Sequence, residues 1–167
     1  SQIRDMVAGG TIPAPSGPRG ALTTNNALLD DYTAHVLNFI DPAAIKPFNV
    51  VLDAGSGMGG LVAPALFERL ACRTTRLCFE IDGTFPNHEA NPLIEENRKD
   101  IVERVIAERA DIGIAWDGDA DRCFFIDRDG EFVPGDFVTA LICARSISKA
   151  TDRCRSDTDT ITRRLPL

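Results

Sequence analysis

The sequence predicts an α/β domain, with three α/β/α layers around a mainly parallel mixed sheet. Three observations carry that reading. Short apolar runs of strand length alternate with segments of helical period. The connections between them are short, as in layered α/β units. A glycine-rich turn joins the first run directly to a helix. In such sheets ligands gather outside the carboxyl ends of the strands, where this turn and an aspartate-rich loop both fall.

The elements follow in order. Residues Ser1 to Thr24 are rich in Gly, Pro, Ser and Thr and read as linker rather than core. Asp30 to Ile40 has helical spacing, with Tyr32, Val36, Leu37 and Ile40 apolar, and Asp41-Pro42 ends it. Asn49 to Asp53 is a short buried strand, followed by the glycine turn and a helix from about Gly60 to Leu70. Arg76 to Ile81 is the second strand. A long helix is expected over Pro92 to Ala110, its apolar side formed by Ile94, Ile101, Val105 and Ile106. The strand Ile112–Trp116, the Asp loop and the strand Cys123–Asp127 come next. Arg128-Asp129-Gly130-Glu131 is a good two-residue hairpin turn, and a helix runs from about Gly135 to Ser148. Thr151 to Leu167 shows neither period and reads as a disordered tail, for which a non-native origin such as a shifted frame is one explanation.

The chain has 167 residues and a net charge of −7, enough length for one well-buried domain. The segment from Glu80 to Glu131 carries 15 acidic and 6 basic residues, a net of −9, which leaves +2 for the rest. That balance argues against a nucleic-acid surface and favours cations, although ion-paired helix faces explain much of it. No apolar run reaches membrane-spanning length and no signal pattern opens the chain, so a cytoplasmic protein is expected. Five widely spaced cysteines without a C-x-x-C, beside two histidines, point to reduced thiols rather than a zinc site or disulfide framework.

Three constellations bear on chemistry. The most specific is Asp117-Gly118-Asp119-Ala120-Asp121-Arg122, directly after Ile112–Trp116. Carboxylates at i, i+2 and i+4 leaving one strand can converge on a point. Packing them without a cation costs several kcal/mol of repulsion, so a hard divalent ion with oxygen ligands, Mg²⁺ first, is expected on Asp117, Asp119 and Asp121. An EF-hand would need Gly and Glu where Arg122 and Arg128 stand, which removes that reading. Arg122 adds a donor fork suited to phosphate. The second is Asp53-Ala54-Gly55-Ser56-Gly57-Met58-Gly59-Gly60, in which Gly55, Gly57 and Gly60 fit G-x-G-x-x-G with Glu80 or Asp82 downstream. It reads equally as a Rossmann-type S-adenosylmethionine or dinucleotide turn and as a tight strand-to-helix connection. The third, Phe85-Pro86-Asn87-His88-Glu89-Ala90-Asn91-Pro92, is a rigid turn segment; His88 is either a titrating group near the cleft or, the better reading, a residue that orders the loop.

Taken together, the D-G-D-A-D-R loop, the upstream F-P-N-H and the glycine turn resemble the α-D-phosphohexomutases, with the bacterial phosphomannomutase/phosphoglucomutase type nearest. Gly135-Asp136 continues the pattern, so the resemblance covers about Asp30 to Ala150. It implies the second of four domains in an enzyme that interconverts hexose 1-phosphate and hexose 6-phosphate through a phosphoserine and a bisphosphorylated sugar. It also implies that Asp117, Asp119 and Asp121 hold Mg²⁺ together with an oxygen of the phosphoserine, and that Arg122 is the catalytic residue beside the phosphoryl group.

The expected organisation is 1–26 linker from a first domain, 27–150 the α/β/α domain and 151–167 tail. No T-A-S-H-N-P-like serine loop, G-E-x-S-G-H-like sugar loop or R-x-S-N-T-E-P-like phosphate loop occurs, and neither Ser16 nor Ser56 sits in the serine motif. The chain is therefore expected to be a fragment, inactive alone, with weak metal affinity, and the phosphorylated hexose substrate to need the other domains. The alternatives are the nucleotide-type domain on the Gly55–Gly60 turn and a non-enzymatic metal-binding module.

Overall fold

The computed structural model describes residues 1–12 and 14–144. Five strands form one mixed sheet in the order β2-β1-β3-β4-β5: β1 (Asn49–Asp53), β2 (Arg73–Leu77), β3 (Ile112–Trp116), β4 (Cys123–Asp127) and β5 (Phe132–Val133). β1 pairs in parallel with β2 and β3, and β4 and β5 extend the sheet antiparallel. Helices are α1 (Gln2–Ala8), α2 (Leu28–Leu37), α3 (Gly59–Phe67), α4 (Lys99–Glu108) and α5, described over 135–144.

The layers follow from the alternation of side chains along β3. Gly59, at the start of α3, lies against the Trp116 ring, whereas Gly113 lies beneath Val105 and Ile101 of α4. Positions 113 and 116 point to opposite faces, so α3 and α4 cover opposite sides of the sheet. Parallel crossovers of the usual right-handed sense produce this arrangement when the chain runs outward from β1 to β2 and back across to β3. A Cβ at Gly113 would sit 2.9 Å from Val105 Cγ2, which is why the helix approaches so closely there. The α4 side of the core holds Val51, Ile101, Val105, Ala110, Ala115 and Ile126, with Leu77, Val102 and Phe132 at its edge. On the other face, α2 packs against α3.

Several elements differ from the sequence expectation. The long helix over 92–110 is replaced by a 3₁₀ turn (Glu95–Arg98) leading into α4. The Asn97 side-chain amide donates to the Asn91 carbonyl, and the Arg98 guanidinium to those of Pro92 and Leu93, so side chains take acceptors that a longer helix would use. Ile94, outside the helix, is exposed, and so is Ile106 within α4. β2 begins three residues early and ends at Leu77, opposite the last residue of β1; Cys78 then turns the chain away with φ +52°. In α2, which ends at Leu37 and not at Ile40, the fully buried residue is Thr33, its hydroxyl donating to the Leu29 carbonyl at 2.7 Å; Tyr32 is exposed, as is Ile40 beyond the helix. The helix α1, unforeseen within the linker, buries nothing. The tail over 151–167 lies outside the described residues.

Candidate metal centre

Trp116 pairs with Cys123, so residues 117–122 form the loop of the β3–β4 hairpin. Two hydrogen bonds fold that loop on itself: the Ala120 N–H donates to the Asp117 carbonyl at 3.0 Å, and the Asp117 N–H to the Arg122 carbonyl at 3.4 Å. Ala120 takes φ +60° to make the turn. As a result Asp117, Asp119 and Asp121 each offer a carboxylate oxygen within 4.8 Å of the others. Asp117 is 1% exposed, whereas Asp119 and Asp121 face solvent. The loop thus presents one fixed and two adjustable oxygen donors. Such an all-oxygen set fits a hard divalent cation.

The structure folds Arg122 back onto this cluster. Its backbone N–H donates to Asp117 Oδ1 at 3.0 Å, its Nε to Oδ2 at 2.6 Å, and its Nε lies 3.5 Å from Asp121 Oδ1. Burial alone would raise the Asp117 carboxyl; the hydrogen bonds and charge of Arg122 outweigh it and hold the group below the usual carboxylate range. The guanidinium remains half exposed.

The glycine turn supports this loop from below. A Cβ at Gly57 would lie 2.5 Å from the Gly118 carbonyl oxygen, and one at Gly60 would lie 2.4 Å from that of Phe79. Six of the turn's N–H groups are already used. Ala54 donates to Leu77, Gly55 to the Asp53 side chain, Ser56 to Cys78, Gly57 to Ala54, Met58 to Gly118 and Gly60 to Gly57. A turn that cradles a dinucleotide or phosphate presents such groups to the ligand. Here they bind the chain to itself, which favours the structural reading of the glycines and not a nucleotide site.

His88 has the partner that its sequence neighbourhood could not name. Its Nε2 lies 3.1 Å from Oδ2 of the buried Asp53 and 3.8 Å from Cys78 Sγ, while Nδ1 meets the Glu89 carbonyl at 3.0 Å. The hydrogen bond to Asp53 raises the imidazole to about 9 against the opposing effect of burial, so His88 is a cation at neutral pH. Burial, then the Asp53 charge, pushes the Cys78 thiol up to about 11. This ion pair ties loop 85–92 to the sheet, and the Asn87 amide adds a bond to the Ser56 hydroxyl at 3.2 Å. Phe85 and Ala90 then pack against Gly118, behind the aspartates. Asp53 and Cys78 are the residues that sequence reasoning missed. They lie 35 and 10 positions from His88, and only the parallel pairing of β1 with β2 brings them together.

Residues 30–130 match the family model described as phosphoglucomutase/phosphomannomutase, alpha/beta/alpha domain II. The chain is 39% identical over 149 residues to a phosphohexose mutase of Xanthomonas campestris pv. campestris, covering 88% of this chain and 32% of the relative. To a phosphomannomutase/phosphoglucomutase of Pseudomonas aeruginosa it is 41% identical over 109 residues, covering 65% and 24%. A crystal structure of a phosphoglucomutase/phosphomannomutase family protein from Burkholderia thailandensis superposes with a TM-score of 0.73 at 30% identity, over 89% of this chain and 31% of that one. The chain spans about a third or less of the length of these relatives. With fold, loop and kinship in agreement, the chain belongs to the phosphoglucomutase/phosphomannomutase family.

Proposed function

We propose that this chain is the metal-holding domain of a phosphohexomutase that interconverts hexose 1-phosphate and hexose 6-phosphate through a phosphoserine. The observation that carries the reading is the convergence of Asp117, Asp119 and Asp121 at the carboxyl end of β3, in a chain of this family. The donor set fits Mg²⁺: three carboxylates, no sulfur or nitrogen, and a buried Asp117 held ionised. When bound there, the ion supplies neutralisation of charge on the transferred phosphoryl group. Asp117 anchors the site because its position is fixed from two sides, and Asp119 and Asp121 close on the ion from solvent. Arg122 holds Asp117 in place through its backbone N–H and offers a half-exposed guanidinium to phosphate oxygens. Loop 85–92 keeps the hairpin from shifting away.

The nucleophilic serine and the groups that read sugar and phosphate belong to the enzyme's other domains in this reading, and the phosphorylated hexose is bound with their help. The chain by itself then binds Mg²⁺ weakly and turns over nothing. Two measurements on the purified chain test this. Mg²⁺ should raise the melting temperature of the wild type and not that of Asp119→Asn. Glucose 1-phosphate with Mg²⁺ should give no glucose 6-phosphate. Absence of any Mg²⁺ effect, or saturable binding of S-adenosylmethionine or NAD, would overturn the reading. Because Asp119 is exposed, the substitution should alter stability without metal by no more than about 0.5 kcal/mol.

A further inference from the structure

Asp53 at the end of β1, Cys78 just past β2 and His88 in loop 85–92 have no part in the phosphoryl chemistry above. Their ligating atoms nevertheless lie within 4.8 Å of one another, with Nε2 of His88 3.1 Å from the Asp53 oxygen and 3.8 Å from the Cys78 sulfur. Ligands around a tetrahedral zinc ion, at roughly 2.0 Å for N and O and 2.3 Å for S, stand about 3.3 to 3.7 Å apart. The two His88 separations are therefore within a few tenths of an ångström of those in a metal site, and the Asp53 oxygen lies no more than 4.8 Å from the Cys78 sulfur. One sulfur, one nitrogen and one oxygen are a borderline-soft set, unsuited to Mg²⁺ and suited to zinc.

We propose that Asp53, Cys78 and His88 form a second metal site, which takes Zn²⁺ or a divalent cation of its class and is chemically distinct from the all-carboxylate Asp loop. The cluster is oriented from outside. Nδ1 of His88 is held by the Glu89 carbonyl, which leaves Nε2 as the ligating atom, and Oδ1 of Asp53 accepts the Gly55 N–H at 2.9 Å, which leaves Oδ2. Cys78 takes a left-handed backbone conformation, φ +52°, at the point where its side chain meets His88. Such a conformation is uncommon for a residue other than glycine.

The charge balance is also right. Before binding, the cluster holds a carboxylate, an imidazolium and a thiol, with no net charge. Binding releases the Nε2 proton of His88 and the thiol proton of Cys78. The ion's two charges are then matched by the Asp53 carboxylate and the Cys78 thiolate, so no net charge is added to a largely buried place. Three protein ligands leave a fourth position for water. The ion would bridge β1, the exit of β2 and loop 85–92, the same three segments that the proton on His88 now joins.

Cobalt(II), added to the reduced chain as a reporter for zinc, tests the proposal. A thiolate ligand gives an intense near-ultraviolet sulfur-to-cobalt charge-transfer band, which the aspartates cannot. The band should appear in the wild type and in Asp119→Asn, vanish in Cys78→Ser, and be abolished by Zn²⁺ but not by excess Mg²⁺. Zn²⁺ should also raise the melting temperature of the wild type and Asp119→Asn, and leave Cys78→Ser and His88→Gln unchanged. Unaltered metal-free melting of Cys78→Ser shows that its fold is intact; should it fail to fold, the wild-type and Asp119→Asn spectra still decide. No band in the wild type, or a band that persists in Cys78→Ser on another thiol, overturns the proposal.

Discussion

Two clusters of ionisable side chains stand at the carboxyl ends of neighbouring strands of one sheet, and they solve the problem of buried charge in opposite ways. The Asp loop gathers three carboxylates and leaves two of them in water, with one arginine for partial compensation. The Asp53–His88–Cys78 cluster sits deeper and neutralises itself, one anion against one cation. The first keeps its charge available to an incoming ion. The second uses its charge to fasten a loop. Stability of the metal-free chain should therefore depend on the second and Mg²⁺ response on the first, and substitutions at the two places should have separable effects.

The largest effect is expected from His88→Leu, which leaves the Asp53 carboxylate buried without its cation. Breaking such a pair costs about 3 kcal/mol or more, read from the midpoint of urea unfolding. If the variant loses less than about 1 kcal/mol, the pair is not the fastening that distinguishes the two clusters. The same pair sets the pH dependence. An imidazole raised from 6.5 to about 9 contributes stability that is fully present below pH 6.5 and lost as pH rises through 9. Unfolding free energy of the wild type should fall by about 3 kcal/mol between those limits, and His88→Leu should flatten that slope. The Cys78 thiol, raised to about 11, extends the loss at still higher pH, because the unfolded chain ionises it first.

Gly57→Ala comes next and couples the clusters through the backbone. The new methyl would meet the Gly118 carbonyl, an atom that cannot swing aside as a flexible side-chain tip can. A cost of about 2 kcal/mol is expected, with the hairpin loop pushed outward and the melting-temperature rise with Mg²⁺ reduced. A stable Gly57→Ala variant with an undiminished Mg²⁺ response would show that the turn does not position the Asp loop.

The two clusters also differ in how far the sequence revealed them. Asp117, Asp119, Asp121 and Arg122 are contiguous, so spacing along one strand exit was enough to bring them together before any fold was known. β1, β3 and β4 were legible for the same reason, because each is a short apolar run with its limits marked by turn residues. β2 starts three residues and ends four residues before its expected limits, because the observed limits are set by pairing with β1 and not by its own apolar content. The helix ahead of α4 was overestimated because Arg98 and Asn97 capture carbonyls at a range that hydrophobic period does not register. The partners of His88 lie at the ends of two strands whose register is a tertiary fact, so the sequence offered a titrating or a loop-ordering role and no partner for either. The glycines illustrate the remaining limit. Their motif is shared by nucleotide turns and tight connections, and only the direction of the N–H groups separates the two.

The smallest effect on stability, and the finest test of the contrast, is expected from Arg122→Gln. In the metal-free chain the guanidinium bonds to Oδ2 of Asp117 and lies near Asp121, so it occupies part of the charge that a divalent ion would use. Removing it deletes a positive charge beside the carboxylates that would hold the ion, a repulsion worth roughly 1–2 kcal/mol in water-like surroundings. The Asp117 side chain keeps its orientation, because the backbone N–H of residue 122 still donates to Oδ1. Mg²⁺ should then bind about tenfold more tightly, as measured by calorimetric titration of the chain, while the unfolding midpoint falls less than in His88→Leu or Gly57→Ala, because the guanidinium is half exposed and the backbone bond to Asp117 stays. Weaker binding instead would mean that the guanidinium holds Asp117 ready for the ion rather than competing with it. In that case the Asp loop, like the His88 cluster, relies on its own cation to stay assembled, and the contrast between the two would narrow to the chemistry of their ligands.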